Sequence, residues 1–227
     1  MKCQALLKEL ESLGSEQTRK TYRRHGVDTP QFGVSYKSFG ILKKRLKVNH
    51  PLALELWATG NHDARVLATM IADVGALTAA QAESMVKDVS NAPITDALAG
   101  LVGRSRVARQ KAEKWVRSKK ELIGRAGWQV LCRLALDDKE LDDDYFAAYL
   151  PTIEAGIHMA ANRTRDAMNM AVIAIGVRSA ALRKLALSAA KRIGKVDVDH
   201  GDTSCKTPDA AAYIAKTVGH CRRIMCG

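Results

Sequence analysis

Signals that start and stop helices recur along the whole of this chain, and strand signals do not, so its fold has to be assembled from many short helices. Ser15 opens the segment SEQTRKTYRRHG and Gly26 follows it, a capping hydroxyl paired with a residue that tolerates a left-handed backbone. Pro51 stands where a first helical turn would begin LALELWATG, a position whose N–H has no helical partner to lose. Thr78 with Gln81, and Ser118 with Glu121, have the spacing at which a capping side chain and the residue three later satisfy orphan N–H groups reciprocally. Thr207, Pro208 and Asp209 predict a last helix through Ala210 to Val218, with Gly219 placed to end it. Val, Ile and Thr rarely alternate with polar residues, and aromatics are only 5%, so strands have little to be made from.

The caps predict about a dozen helices of ~8 to 17 residues with short joins, as in antiparallel helix pairs. Pairs around 35–73, 78–117, 118–160 and 164–194 recur at roughly 40 residues, close to the period of HEAT-type repeats. The expected fold is all-α: a single HEAT-like helical-repeat domain over residues 1–227, curved as a solenoid with a basic concave surface. An irregular helical bundle would carry the same caps. The N-terminal MKCQALLKELESLG alternates charge with leucine, and no apolar run approaches the ~18 to 20 residues that cross a bilayer, so a cytoplasmic protein with no membrane partner is expected. Five scattered cysteines suit reduced thiols, not a secreted disulfide framework. No oligomeric signal is present, and a monomer is expected.

The 36 Lys and Arg against 24 Asp and Glu leave a charge of +12, which points to a polyanionic partner. The stretch GRSRVARQKAEKWVRSKK reads as a basic helix, with Arg104, Arg106, Arg109, Lys111, Lys114, Arg117, Lys119 and Lys120 against Glu113 alone. Lys43, Lys44, Arg45 and Lys47 form a second run, and Arg163, Arg165, Arg183, Lys184, Lys191, Arg192 and Lys195 a looser third. Acids concentrate in Asp137, Asp138, Glu140, Asp142, Asp143 and Asp144. Each basic run by itself reads as a solvated helix face; together they favour nucleic acid, each phosphate contact releasing counterions.

His200, Cys205, His220, Cys221 and Cys226 cluster near the C-terminus, but there is no C-x-x-C, and adjacent His220 and Cys221 close a tetrahedron awkwardly, so no metal is expected. Phosphate loops, dinucleotide fingerprints and the GxSxG elbow are missing from the sequence, and neither a nucleotide nor any other cofactor is expected.

The segments YRRHGVDTPQFGVSYKSFGILKKRLK (22–47), LALELWATGNHDARVLATMIAD (52–73), SNAPITDALAG (90–100), RAGWQVLCRLAL (125–136) and NMAVIAIGVRSAALRK (169–184) resemble the AlkD-related DNA alkylation repair proteins. That resemblance spans most of the chain and implies a HEAT-like solenoid acting as a DNA glycosylase on cationic N3- or N7-alkylated purines in duplex DNA. In such enzymes a carboxylate stabilises an oxocarbenium-like sugar, and tryptophans on a concave surface hold the distorted backbone. The resemblance places Asp96 at that carboxylate, Arg178 at an arginine gripping the DNA backbone, and Trp57 at the first aromatic. On a helix entered through Asn91 and Pro93, the apolar stripe is Ile94, Leu98 and Leu101 or Val102, and Asp96 projects away from it. From the residues alone, Asp96 also reads as a carboxylate favoured by an early helical turn, Arg178 as a cation near a helix C-terminus before the cap Ser179, and Trp57 as core.

Two departures weigh on the activity. The family's Trp four residues before the catalytic Asp is here Ala92, and no Trp occurs beyond Trp128, which itself reads as core. Three functions follow in order: a monofunctional glycosylase using Asp96, Arg178 and Trp57; a binding module gripping bent or branched DNA through Lys43, Lys44, Arg45, Arg104, Arg106, Arg109 and Lys111; and a protein–protein scaffold.

Overall fold

The computed structural model describes residues 2–225, with side chains described as far as residue 219. Its contacts divide the chain into two compact units, one running to Lys111 and taking in His200–Ser204, the other running from Ala112 to Asp199 and resuming at Cys205. The first holds α1 (Cys3–Ser12), α2 (Glu16–Arg24), α3 (Tyr36–Leu46), α4 (His50–Ala58), α5 (His62–Ile71), α6 (Ala79–Lys87), α7 (Ala92–Val102) and the first half of α8 (Ala108–Trp115). After α8 the second holds α9 (Glu121–Asp137), α10 (Asp143–Ala147), α11 (Tyr149–Gly156), a 3-10 turn (Ile157–Met159), α12 (Asn162–Arg178), α13 (Ala180–Ile193) and α14 (Ala210–Met225). The described residues contain no strand, only an isolated antiparallel bridge between Gly14 and Val34. None of their helices is long and apolar enough to cross a membrane.

In the first unit α4 and α5 pair along their length and α7 packs on α5, burying Leu52, Leu56, Leu67, Leu98 and Leu101. Phe39 and Leu42 anchor α3. In the second unit α9 and α12 form the central pair, with Trp128, Leu131, Val172 and Ile175 buried, and α13 and α14 pack on α12. Burial of these side chains, each contributing about 1.5–3 kcal/mol, outweighs the marginal stability of helices this short.

Local chemistry placed most helix starts where the residues predict them. Ser15 Oγ accepts from Thr18 N (3.2 Å), and Thr78 and Gln81 form the full reciprocal box (3.1 and 2.8 Å). Asn91 Oδ1 accepts from Ile94 N (3.0 Å) with Pro93 in the first turn, and Pro51 sits in the first turn of α4.

Four expectations are corrected. Ser118 and Glu121 form no box: α9 begins at Glu121 after Lys120, and the Glu121 carboxylate accepts instead from Arg163 N (2.6 Å) in the first turn of α12, a helix with no capping side chain of its own. Tertiary contact outbid the local pairing. The basic stretch is not one helix; only Ala108–Trp115 is helical, because Ser105 N and Oγ both bond Val102 O and close a turn after α7. The last helix runs past Gly219 to Met225, a glycine inside a helix being a modest cost of about 1 kcal/mol. The joins are short except for residues 194–209, a stretch without helix. Side chains of α12 secure its ends: Asn162 bonds Asp199 through both N and O (2.8 and 2.7 Å), Arg165 reaches Asp197 O and Asn169 reaches Pro208 O.

Candidate nucleic-acid interface

The first unit contains the predicted carboxylate. Asp96 lies on α7 opposite the buried stripe of Ile94, Leu98, Leu101 and Val102, and is half-buried. Next to it stands Tyr36, at the first position of α3 behind the cap Ser35, whose hydroxyl accepts from Ser38 N (3.2 Å). The Tyr36 residue is 58% exposed and its ring meets Phe39 edge-on (5.8 Å between centroids). Its hydroxyl end sits among protein atoms: burial there, then the negative charge of Asp96 and of Asp63, raises the phenol's pKa.

The segment that delivers α3 is held by Asp63, which is fully buried at the start of α5. Its carboxylate accepts from the backbone N–H of Phe32 (2.6 Å), Gly33 (3.2 Å) and Val34 (2.8 Å). Charge-assisted bonds to successive amides fix a loop that has no regular structure. Gly33 has φ +78°, and a side chain there would strike Ser15 O and Arg19, so the loop requires glycine at this point. Tyr22 donates its hydroxyl to Val34 O (2.6 Å); burial, then Asp63 and Tyr36, raises its pKa. His62 packs edge-on against Tyr22 (5.2 Å), and burial lowers its pKa against the opposing pull of Asp63.

The candidate cations divide into those kept outside and those drawn in. Lys43 and Lys44 are exposed in the last turn of α3. Arg45, also exposed, forms a fork with Glu9 of α1 (2.8 and 2.6 Å), which lowers the Glu9 pKa and raises that of Arg45. Arg104 is exposed but its Nε bonds Gly100 O (2.9 Å); Arg106 and Arg109 are exposed. Lys111 is corrected: it is 4% exposed and paired with Glu83 of α6 (2.9 Å), so it holds the first unit together and is not a surface contact.

Trp57 lies in the core, one of the two readings given for it. It is 4% exposed, its Nε1 donates to Asp88 (3.1 Å), and the Arg65 guanidinium covers its ring (5.1 Å) while bonding Trp57 O and Asp88 O. A ring enclosed in this way offers no face to DNA. Trp115 and Trp128 are 1% and 2% exposed, so every tryptophan is core.

Arg178, in the second unit, is the largest departure. Its side chain is 10% exposed and its donors are committed within the protein: Nη1 to Asp138 O (2.6 Å) and Ala135 O (3.1 Å), Nη2 to Leu141 O, and Nε to Asp143 (3.2 Å). The guanidinium also lies over Phe146 (4.3 Å). It closes the C-terminus of α9, where orphan carbonyls need donors, and it neutralises part of the acidic segment. It buttresses the end of α9.

Metal chemistry finds no cluster of three ligands among the described residues; His220, Cys221 and Cys226 lie outside the described side chains. Tyr36 and Asp63 were missed in the sequence. The signal for Tyr36 was its place off the Phe39–Leu42 stripe behind a serine cap; Asp63 has none, since its partners are 29 to 31 residues away.

A family model, DNA alkylation repair enzyme, matches residues 6–214, and the chain belongs to that family. Uncharacterised proteins of Listeria innocua and Listeria monocytogenes are 31% and 29% identical over 214 residues, 92% of this chain and 93% of each relative. A solved structure, from a new family of proteins related to the HEAT-like repeat DNA glycosylases with affinity for branched DNA structures, is similar with a TM-score of 0.90 at 30% identity, covering 98% of this chain and 96% of that one. The fold is thus the HEAT-like helical-repeat fold and not an irregular bundle.

Proposed function

We propose that this protein is a DNA-binding member of its family that recognises branched or sharply bent DNA. The observation that carries this is the loss of the expected aromatic and arginine contacts: Trp57 is buried, Arg178 is consumed in closing α9, Ala92 stands where the family has a Trp, and no Trp follows Trp128. What is left outside is suited to holding a phosphate backbone. The similar structure described by its affinity for branched DNA supports the same partner. Exposed lysines displace condensed counterions, so affinity falls steeply with salt.

A second function, excision of cationic N3- or N7-alkylated purines from duplex DNA, is favoured by Asp96, half-buried beside an exposed tyrosine. Such bases leave with little acid assistance, and a carboxylate alone would supply part of the electrostatic stabilisation. One assay separates the two: release of free base from duplex carrying N7-methylguanine or N3-methyladenine, comparing wild type with Asp96→Asn at matched DNA occupancy. Tight binding without release supports the binding protein. Release that collapses in Asp96→Asn establishes the glycosylase, and the absence of any DNA binding leaves a scaffold.

A further inference from the structure

On α3 and just past it the first unit exposes three apolar side chains. Tyr36 is 58% exposed, Ile41 62%, and Val48, just past the helix, 67%. Lys37, Lys43, Lys44 and Lys47, on the same helix or just past it, are all exposed. Tyr36, Gly40 and Lys44 fall at i, i+4 and i+8, one line along the helix. A side chain built at Gly40 would meet nothing within 4 Å, so the helix surface one turn past Tyr36 is an open shelf.

Positive charge alone would serve a uniform duplex, whose bases are stacked and hidden. An exposed tyrosine, an open shelf and exposed lysines along the same helix suit a flat apolar surface bordered by phosphates. DNA presents such a surface where a stack ends, as at a branch point. The backbone at the end of this face is also held out of its ordinary range: Lys47 has φ +54° and ψ −151°, a region nearly restricted to glycine. A glycine would relieve the strain, yet a lysine occupies the site.

We infer that the Tyr36–Gly40 edge of α3 covers the exposed terminal base pair at a DNA branch point, with Tyr36 stacking on the base and Lys37, Lys43, Lys44 and Lys47 holding the flanking phosphates. This rests on the branched-DNA function proposed above and adds the surface and the chemistry of recognition. Base–aromatic stacking is indifferent to sequence, so the preference is for shape.

The test uses the full-length chain, a three-way junction with 2-aminopurine at the branch point, and a linear duplex of equal length. Wild type should prefer the junction and change the 2-aminopurine fluorescence on binding. Tyr36→Ala should lower the junction-over-duplex preference about ten-fold and abolish the fluorescence change, while Tyr36→Phe keeps both. Gly40→Leu fills the shelf on a helix that it should strengthen, so its loss of preference is not a folding defect. Preference and fluorescence change both surviving in Tyr36→Ala and Gly40→Leu would overturn the inference and leave branched-DNA binding standing. Wild type with no junction preference would overturn that function, and the inference with it. A light-scattering mass of a dimer that falls to a monomer in Tyr36→Ala would show that a second copy covers this face, and would equally overturn the inference.

Discussion

Lys43 and Lys44 on α3 and Arg178 on α12 all stand in the last turn of a helix, where the carbonyl dipole favours a cation, yet they end in opposite environments. The lysines stay exposed, two turns along the helix from the exposed Tyr36, on a helix whose other face is anchored by Phe39 and Leu42. The arginine is folded back onto Asp138 O, Ala135 O and Asp143, at the end of α9. The difference lies in what each helix end faces. α12 ends against an acidic segment and a set of carbonyls lacking donors, and a planar fork of N–H groups answers both. At the end of α3 Arg45 pairs with Glu9, while Lys43 and Lys44 remain exposed. A basic residue near a functional motif therefore carries little information until its hydrogen bonds are counted.

Breaking the inward arrangement should have the largest effect. Arg178→Ala leaves the carbonyls at the end of α9 without their donor and removes one partner of Asp143, which keeps its bond from Ser179, and urea unfolding should show a loss of about 1–3 kcal/mol. Arg178→Lys should recover only part of it, since an ammonium cannot reproduce the fork. A phosphate-gripping arginine would behave otherwise: stability would hold and DNA affinity would fall.

The outward arrangement predicts the reverse. Lys43→Ala with Lys44→Ala should shift stability by no more than about 0.5 kcal/mol. The slope of log affinity against log salt should shrink by about 1.8, roughly 0.9 for each phosphate left without its lysine, read by fluorescence anisotropy over a salt series. An unchanged slope would remove these lysines from the interface.

Lys47 sharpens the contrast within α3 itself. Lys47→Gly should raise stability by about 1 kcal/mol in thermal or urea unfolding, because glycine tolerates the positive φ, and should lower DNA affinity by removing a charge. Gains in both would mean that the strained lysine serves no binding purpose.

The smallest effect concerns the loop that delivers α3. His62 is held neutral by burial, its pKa lowered from 6.5. Below that ordinary value the unfolded chain takes up a proton that the folded chain resists. Stability is therefore intact above about pH 6.5 and declines as pH falls toward the lowered value. Replacing His62 by Gln should flatten that part of the stability curve; an unaltered curve would assign the decline to other groups.

Helix starts were legible because a cap is a contract among residues three or four apart: Ser15, Thr78 and Asn91 act as their spacing predicts. Glu121 fails the same test since its carboxylate meets α12, 42 residues on, a contact no local pattern encodes. The amphipathic stripe of α7 placed Asp96 on its partly exposed side correctly, for only the 3.6-residue period was needed. Core was one of two readings the residues gave for Trp57, but what encloses it, like the burial of Lys111 and Arg178, was hidden for the same reason as Glu121. Each is enclosed by partners distant in sequence: Asp88, Glu83 and Asp143. The family resemblance supplied positions for a site, while side-chain partners decide which of those positions remain open to DNA.

The most direct test is a competition titration of the full-length protein between a three-way junction and a linear duplex of equal length at two salt concentrations, with free base measured from an N7-methylguanine duplex in the same preparation. The account predicts tighter binding to the junction, binding to both DNAs weakened by salt, and no base release at full occupancy. Equal affinity for the two DNAs together with Asp96-dependent release of base would contradict it.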